Sequence, residues 1–233
     1  MTEMIIEDKN LRNKFHIFGS RRRAGFSLGP FIALEDFDIL YVIPNGGVPV
    51  GLGLLEFPLV SPQKPFDLLI VRKIQIPGST EAGMGAITPD GQIFLNEQLV
   101  SRISVTNYQL ETQIERATHE VEKRRRNFQL PPSPNVYGKK VLITDDGIAS
   151  GFSMLAGAKW LKKLGAEEVL IAVPTAPISS VNHLESHVDK IICLNIRDRY
   201  PFAVADAYKD WYDLTVPEAK KYIDEMRMLQ KIS

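Results

Sequence analysis

The sequence carries one cysteine, Cys193, among its 233 residues. No disulfide can close within the chain, and a scaffold held by cross-links is excluded. It has no surplus of either charge, since 28 Lys and Arg stand against 28 Asp and Glu. A balanced chain raises no overall field to gather nucleic acid or an anionic membrane, so any anion site has to be local. No apolar run approaches the roughly 20 residues of a membrane span, and the first residues lack the pattern of a signal peptide. The expectation is a cytoplasmic chain with no nucleic-acid and no membrane partner. Histidine is scarce, at four residues. His183 and His187 are one helical turn apart, yet no third metal ligand stands near, and they read as an exposed helix face. No Gly-x-Ser-x-Gly elbow and no Walker lysine occur, which removes the hydrolase and nucleoside-triphosphatase chemistries those motifs serve. No Gly/Ser or charged linker divides the chain, and residues 1–233 are read as a single domain.

What is present centres on Lys139 to Leu164, KKVLITDDGIASGFSMLAGAKWLKKL. An apolar run (Val141, Leu142, Ile143) ends in two adjacent carboxylates, Asp145 and Asp146. A small-residue loop follows (Gly147, Ile148, Ala149, Ser150, Gly151), and then apolar residues at helical spacing. Backbone N–H groups of such a loop approach an anion closely, and the helix behind it adds its positive end, so the unit suits a phosphate. The carboxylates repel phosphate but accept hydrogen bonds from hydroxyls or face a metal ion. The combination asks for a sugar phosphate, with its diol on Asp145 and Asp146 and its 5′-phosphate on Gly147 to Ser153.

The run VLITDDGIASGFS resembles the phosphoribosyl-pyrophosphate (PRPP) motif of type I phosphoribosyltransferases. In that family the acidic pair holds the ribose 2′ and 3′ hydroxyls and the loop cradles the 5′-phosphate. Ser150 stands where Thr is usual and keeps the hydroxyl. Ala149 stands where the 6-oxopurine enzymes carry Asp, which argues against hypoxanthine or guanine as acceptor. The resemblance implies a doubly wound α/β fold, a mostly parallel sheet flanked by helices, with a small hood. It implies Mg²⁺ as cofactor, held by PRPP and reached by Asp145 and Asp146 through water rather than by direct ligation. It also implies a homodimer.

The remaining chain is read around that unit. Residues 1–14 are expected to form an irregular arm. Gly29-Pro30 should stop or kink any helix begun near Ser20, and Arg21, Arg22 and Arg23 are either a solvated face or reach a ligand phosphate. Asp38 to Ile43 reads as a buried parallel strand running into Pro44-Asn45-Gly46-Gly47-Val48-Pro49. In the resembled family a loop at this point binds pyrophosphate. Asn45 occupies its basic position, and Asn45, Gly46 and Gly47 are the expected pyrophosphate contacts in this loop, the glycines through their backbone N–H groups. Phe66 to Lys73 reads as the next strand, with Arg72 and Lys73 the expected pyrophosphate cations. After a loop, Ile74 to Thr80, two short strands, Gly83 to Thr88 and Gln92 to Asn96, flank a turn at Pro89-Asp90-Gly91. Residues 74–96 and the terminal segments are the expected hood or lid.

Leu110, Ile114, Ala117, Val121 and Phe128 mark an amphipathic helix from Thr106 to Leu130 that packs on the sheet. Pro131, Pro132 and Pro134 end it, and its Lys123 to Arg126 run reads as structural. A strand at Glu168 to Pro174, a helix from Ile178 to His187 and a strand at Lys190 to Leu194 follow. Pro217 opens a last helix. Of Phe202, Tyr208, Trp211 and Tyr212, some fill the core and some wall an acceptor pocket. The expected function is transfer of 5-phosphoribosyl from PRPP to an unidentified nitrogenous acceptor, releasing pyrophosphate. A non-catalytic PRPP sensor on the same fold is the alternative, favoured by Asn45.

Overall fold

The computed structural model describes residues 4–79, 83–130 and 133–232. Six strands form one sheet in the order β1-β9-β8-β7-β2-β3, and each neighbouring pair in it is parallel. They are β1 (Ile5–Ile6), β2 (Ile39–Val42), β3 (Phe66–Leu68), β7 (Lys140–Thr144), β8 (Glu168–Pro177) and β9 (Lys190–Arg197). A second, antiparallel sheet contains β4 (Arg72–Gln75), β5 (Gly83–Ile87) and β6 (Ile93–Leu95). This is the expected α/β class.

Both faces of the parallel sheet are covered, which is why its strands read as unbroken apolar runs. Leu40, Val42, Leu142, Leu170 and Ile192 lie in one core with residues of α1 (Arg21–Ile32), α2 (Gly47–Leu55) and α7 (Val216–Ile232). Tyr41, Ile143, Ile171 and Cys193 lie in a second core with α5 (Phe152–Lys163) and α6 (Ile178–Glu185). The alternation follows from the two-residue period of a strand. α1 and α2 cross backbone to backbone. A methyl group at Gly25 would overlap the Val50 carbonyl, and one at Gly53 would overlap the Arg22 carbonyl.

Several expectations are corrected. The N-terminal arm is not wholly irregular, because Ile5 and Ile6 pair with Ile191 and Ile192 as an edge strand. Pro30 does not stop α1, which begins at the Ser20 cap and runs to Ile32. Pro30 is exposed and near the helix end, and the carbonyl it cannot serve belongs to the exposed Phe26. Phe66 to Lys73 is not one strand, because β3 ends at Leu68 and β4 begins in the other sheet at Arg72. β8 and β9 run three residues past their expected ends, and α6 stops at Glu185, before His187.

The long helix is α4 (Asn107–Phe128), started by a reciprocal capping box between Thr106 and Gln109. Its buried Ala117, Val121 and Phe128 share a core with Ile74, Met84 and Ile87, and the strands it packs against are β4 and β5, so it covers the antiparallel sheet rather than the parallel one. α3 (Glu97–Arg102) leads into it. Thr80, Pro131 and Pro132, invoked above as loop end and helix stops, lie outside the described residues. No helix among the described residues is long and apolar enough to cross a membrane.

Candidate functional site

The carboxyl ends of β2 and β7, neighbours in the sheet, deliver two loops to one place. The β7 loop carries Asp145 and Asp146, then turns at Gly151, whose φ of +80° is a left-handed conformation that glycine adopts without strain. Helix α5 starts there, so its first-turn N–H groups have no intrahelical partner. Ile148 N–H donates to Thr175 O at 2.9 Å and the Ser180 hydroxyl to Ala149 O at 2.5 Å, which fixes the loop's shape from β8 and α6. The β2 loop, with a cis Pro44–Asn45 peptide, presses its glycines against the acids. A methyl at Gly46 would overlap the Asp146 carboxylate, and one at Gly47 would come within 3.0 Å of Asp145 Cα and Thr144 O. A side chain at 46 would therefore displace the Asp146 carboxylate, and one at 47 would crowd the backbone at Thr144 and Asp145.

The two carboxylates are partly buried side by side, and Asp146 N–H donates to Asp145 Oδ1 at 2.7 Å. Burial first, and the charge of Asp146 second, push the Asp145 carboxyl well above the usual range. Burial also raises Asp146, while Arg21 opposes the rise. Arg21 Nε donates to Asp146 Oδ2 at 2.8 Å, and its Nη1 donates to Tyr212 O at 3.0 Å. The guanidinium lies 3.9 Å from the Trp211 ring centroid, and the Tyr208 hydroxyl donates to Asp146 O at 2.5 Å. The acids are thus gripped by the N-terminal helix and the C-terminal tail together.

A cavity of about 550 Å³ opens over this arrangement. Of the expected residues, Asn45, Gly46, Lys73, Asp145, Asp146, Gly147, Ile148, Ala149, Ser150, Gly151 and Ser153 line it. Gly47 is buried behind the acids. Arg72 turns instead into a neighbouring cleft with Gln113, Arg116 and Glu120, 3.9 Å from Glu120, while Lys73 borders both spaces. Asn45 Nδ2 donates to Leu214 O at 2.7 Å, so its amide holds the tail.

Val204, Trp211, Asp213 and Leu214 form a further part of the cavity wall. Trp211 was among the expected pocket aromatics, whereas Tyr208 is buried beneath, Tyr212 supplies a carbonyl, and Phe202 lines another cavity. Sequence reasoning missed Asp213 and the reach of Arg124, which donates to Pro44 O at 3.2 Å. It also left Arg21 undistinguished from its neighbours, of which Arg22 pairs with Glu56 and Glu225. The Ser20 cap, which makes Arg21 the first helical residue, is the one local signal that separates it. His183 and His187 have ring centroids 6.0 Å apart. Among the described residues no group of three or more His, Cys, Asp or Glu is placed to hold a metal ion.

A parallel α/β sheet with paired acids and a glycine-started helix at its carboxyl edge is the architecture of a ligand-binding protein of the doubly wound class. The sequence model of the phosphoribosyl transferase domain matches residues 95–209, the span that holds the acid pair and its loop. The match takes in just under half of the chain, and over that span the chain is similar to that family. Two Mycobacterium tuberculosis proteins provisionally named phosphoribosyl transferases, MT0597 and Rv0571c, are each 28% identical over 215 residues, 89% of this chain and 46% of theirs. The chain thus spans about half the length of the curated relatives it matches. The crystal structure of TT1426 from Thermus thermophilus is similar throughout, with 26% identity, a TM-score of 0.73, and coverage of 90% of this chain and 98% of that one. Arg21, the Asn45–Gly47 loop and Lys73 lie outside the 95–209 span.

Proposed function

We propose that the protein transfers the 5-phosphoribosyl group of PRPP to a nitrogen acceptor with release of pyrophosphate. The observation that carries this reading is the meeting, in one cavity, of an acid pair, a loop opening a helix, a second glycine loop and a lysine. Each part matches one part of PRPP. Asp145 and Asp146 accept the ribose hydroxyls, Gly147 to Ser153 hold the 5′-phosphate through backbone N–H groups and hydroxyls, and the backbone of Gly46 with Lys73 receives the pyrophosphate, the Gly47 N–H being given to Ile43 O at 3.0 Å. Arg72 sits one step farther out, in the adjoining cleft, where it adds to the positive potential at the pyrophosphate end.

The bond from the anomeric carbon to pyrophosphate breaks while the acceptor nitrogen forms its own bond to that carbon. Positive charge grows on the sugar and negative charge on the leaving group, so fixed dipoles and cations at the pyrophosphate loop favour the transition state over the ground state. The acids hold the ribose so that its anomeric carbon faces the Trp211 and Asp213 wall, where a flat acceptor lies. Ala149 stands where the 6-oxopurine enzymes of the resembled family carry Asp, which favours a base other than a 6-oxopurine.

Mg²⁺ suits this donor set. It keeps several waters and is bound largely by substrate phosphates, and Asp145 and Asp146, side by side at the cavity, would reach it through those waters. When bound, it supplies charge neutralisation to the departing pyrophosphate.

Calorimetric titration with PRPP, with and without Mg²⁺ and with ribose 5-phosphate as control, tests the reading. Metal-dependent binding of PRPP clearly tighter than the control, followed by pyrophosphate release with one of a panel of nucleobases, is the expected result. Equal binding of both ligands removes the pyrophosphate site and with it the transferase. The commitment of the Asn45 amide to Leu214 O favours one second reading, a non-catalytic PRPP sensor. Tight metal-dependent binding without turnover on any base would select it.

A further inference from the structure

Arg21 is placed against the ordinary rules of its own helix. It is the first residue of α1, where a cation opposes the helix dipole, and it is 6% exposed, where an unpaired charge is costly. The compensation comes from distant parts of the chain: Asp146 Oδ2 at 2.8 Å, the Tyr212 carbonyl at 3.0 Å and the ring of Trp211 at 3.9 Å. With Nε on Oδ2 and Nη1 on a tail carbonyl, the guanidinium plane is fixed at two points, and the Asp146 carboxylate is anchored to it at Oδ2. Gly46 closes the other side, since a methyl there would overlap the same carboxylate. Oδ2 is thus held from two sides, by Arg21 and by the Gly46 backbone.

We infer that Arg21 is a positioning residue that aims the Asp146 carboxylate at the sugar diol, so that preference for ribose over 2-deoxyribose depends on it. This rests on the reading of Asp145 and Asp146 as the diol acceptors. Arg21 acts through Asp146 and not on the phosphate, so its removal should cost only those ligands that present a 2′-hydroxyl.

The test is calorimetric binding of ribose 5-phosphate, 2-deoxyribose 5-phosphate and inorganic phosphate to the wild type, Arg21→Lys, Asp146→Asn and the double variant Arg21→Met/Asp146→Asn. The double variant leaves no uncompensated buried charge and keeps the comparison available if Arg21→Lys folds poorly. The wild type should prefer ribose 5-phosphate by about tenfold or more, one good charge-assisted hydrogen bond. Arg21→Lys should bring the two sugars to within about threefold of each other and leave phosphate unchanged, and the double variant should lose no more preference than Asp146→Asn alone. Retained preference in Arg21→Lys, equal weakening of all three ligands, or losses that multiply in the double variant would each overturn the inference. A wild type that binds both sugars equally would instead overturn the diol assignment beneath it, which is a separate and distinguishable failure.

Discussion

The close approach of Gly46 to the acid pair gives a prediction with a calculable size. Gly46 has φ −63° and ψ −34°, which alanine adopts freely, so Gly46→Ala carries no backbone penalty and its whole effect comes from contact. The added methyl would overlap Asp146 Oδ2, whereas ordinary contact begins at 3.4 Å, so the carboxylate has to retreat by about 1.5 Å. The 2.8 Å bond from Arg21 Nε then stretches beyond hydrogen-bond range. Overpacking and the loss of one charge-assisted bond together cost about 2–4 kcal/mol, which in a domain of this size lowers Tm by roughly 5–15 °C. Affinity for PRPP should fall about 10- to 100-fold as Asp146 leaves the diol. Thermal melts and calorimetric titration of the same samples read both numbers. Wild-type Tm together with wild-type affinity would refute the reasoning. A lowered Tm with unchanged affinity would show that Asp146 does not meet the sugar.

Asp145 gives a pH-dependent result. Its carboxyl is raised in the folded state, so its contribution to stability is complete at acid pH and is lost as pH rises through the folded value. Asp145→Asn keeps an acceptor for Asp146 N–H and removes that loss. Its Tm should match wild type at acid pH and exceed it by roughly 3 °C or more at about pH 8, and a difference that is constant with pH would contradict this. The double variant Asp145→Asn/Asp146→Asn should remain folded by circular dichroism, since Asn still accepts from Arg21. It should bind PRPP about 100-fold or more weakly, and unchanged affinity would remove the proposed diol site. Gly25→Ala gains about 1 kcal/mol of helix propensity, yet it drives a methyl into the Val50 carbonyl. Urea unfolding should therefore show a net loss of about 2 kcal/mol or more, and a stabilised variant would mean that α1 and α2 slide apart easily.

The sequence disclosed most where the physics is local. The apolar run, the acid pair, the small loop and the helical spacing of residues 139–164 are neighbours along the chain, and β7, its loop and α5 formed as their pattern demands. The hairpin of β5 and β6 was legible for the same reason, because Pro89-Asp90-Gly91 names its turn. Phe66 to Lys73 misled because an unbroken apolar run does not record where a chain leaves one sheet for another. Leu69, Ile70 and Val71 are as buried as the strands they connect. Pro30 misled because the cost of a proline depends on what happens to one carbonyl, and at an exposed helix end that cost is small. The contacts that finish the site were the least legible. Arg21 and Asp146 are 125 positions apart, and Asn45 and Leu214 are 169 apart. No spacing rule covers such distances.

The C-terminal tail is fastened over the cavity by two of its peptide carbonyls, that of Tyr212 to Arg21 and that of Leu214 to Asn45. Every amino acid carries such a carbonyl. These two fastenings are therefore indifferent to which side chains the segment bears, while Trp211 and Asp213 line the cavity and the Trp211 ring also lies over Arg21. A scaffold of this kind separates the holding of a wall from the decoration of it. Under the proposed transfer, substitutions at 213 can re-tailor what the wall accepts without unpicking the seam, whereas a change at 211 also strips a contact from Arg21, so position 213 is the economical place to search for altered acceptor choice.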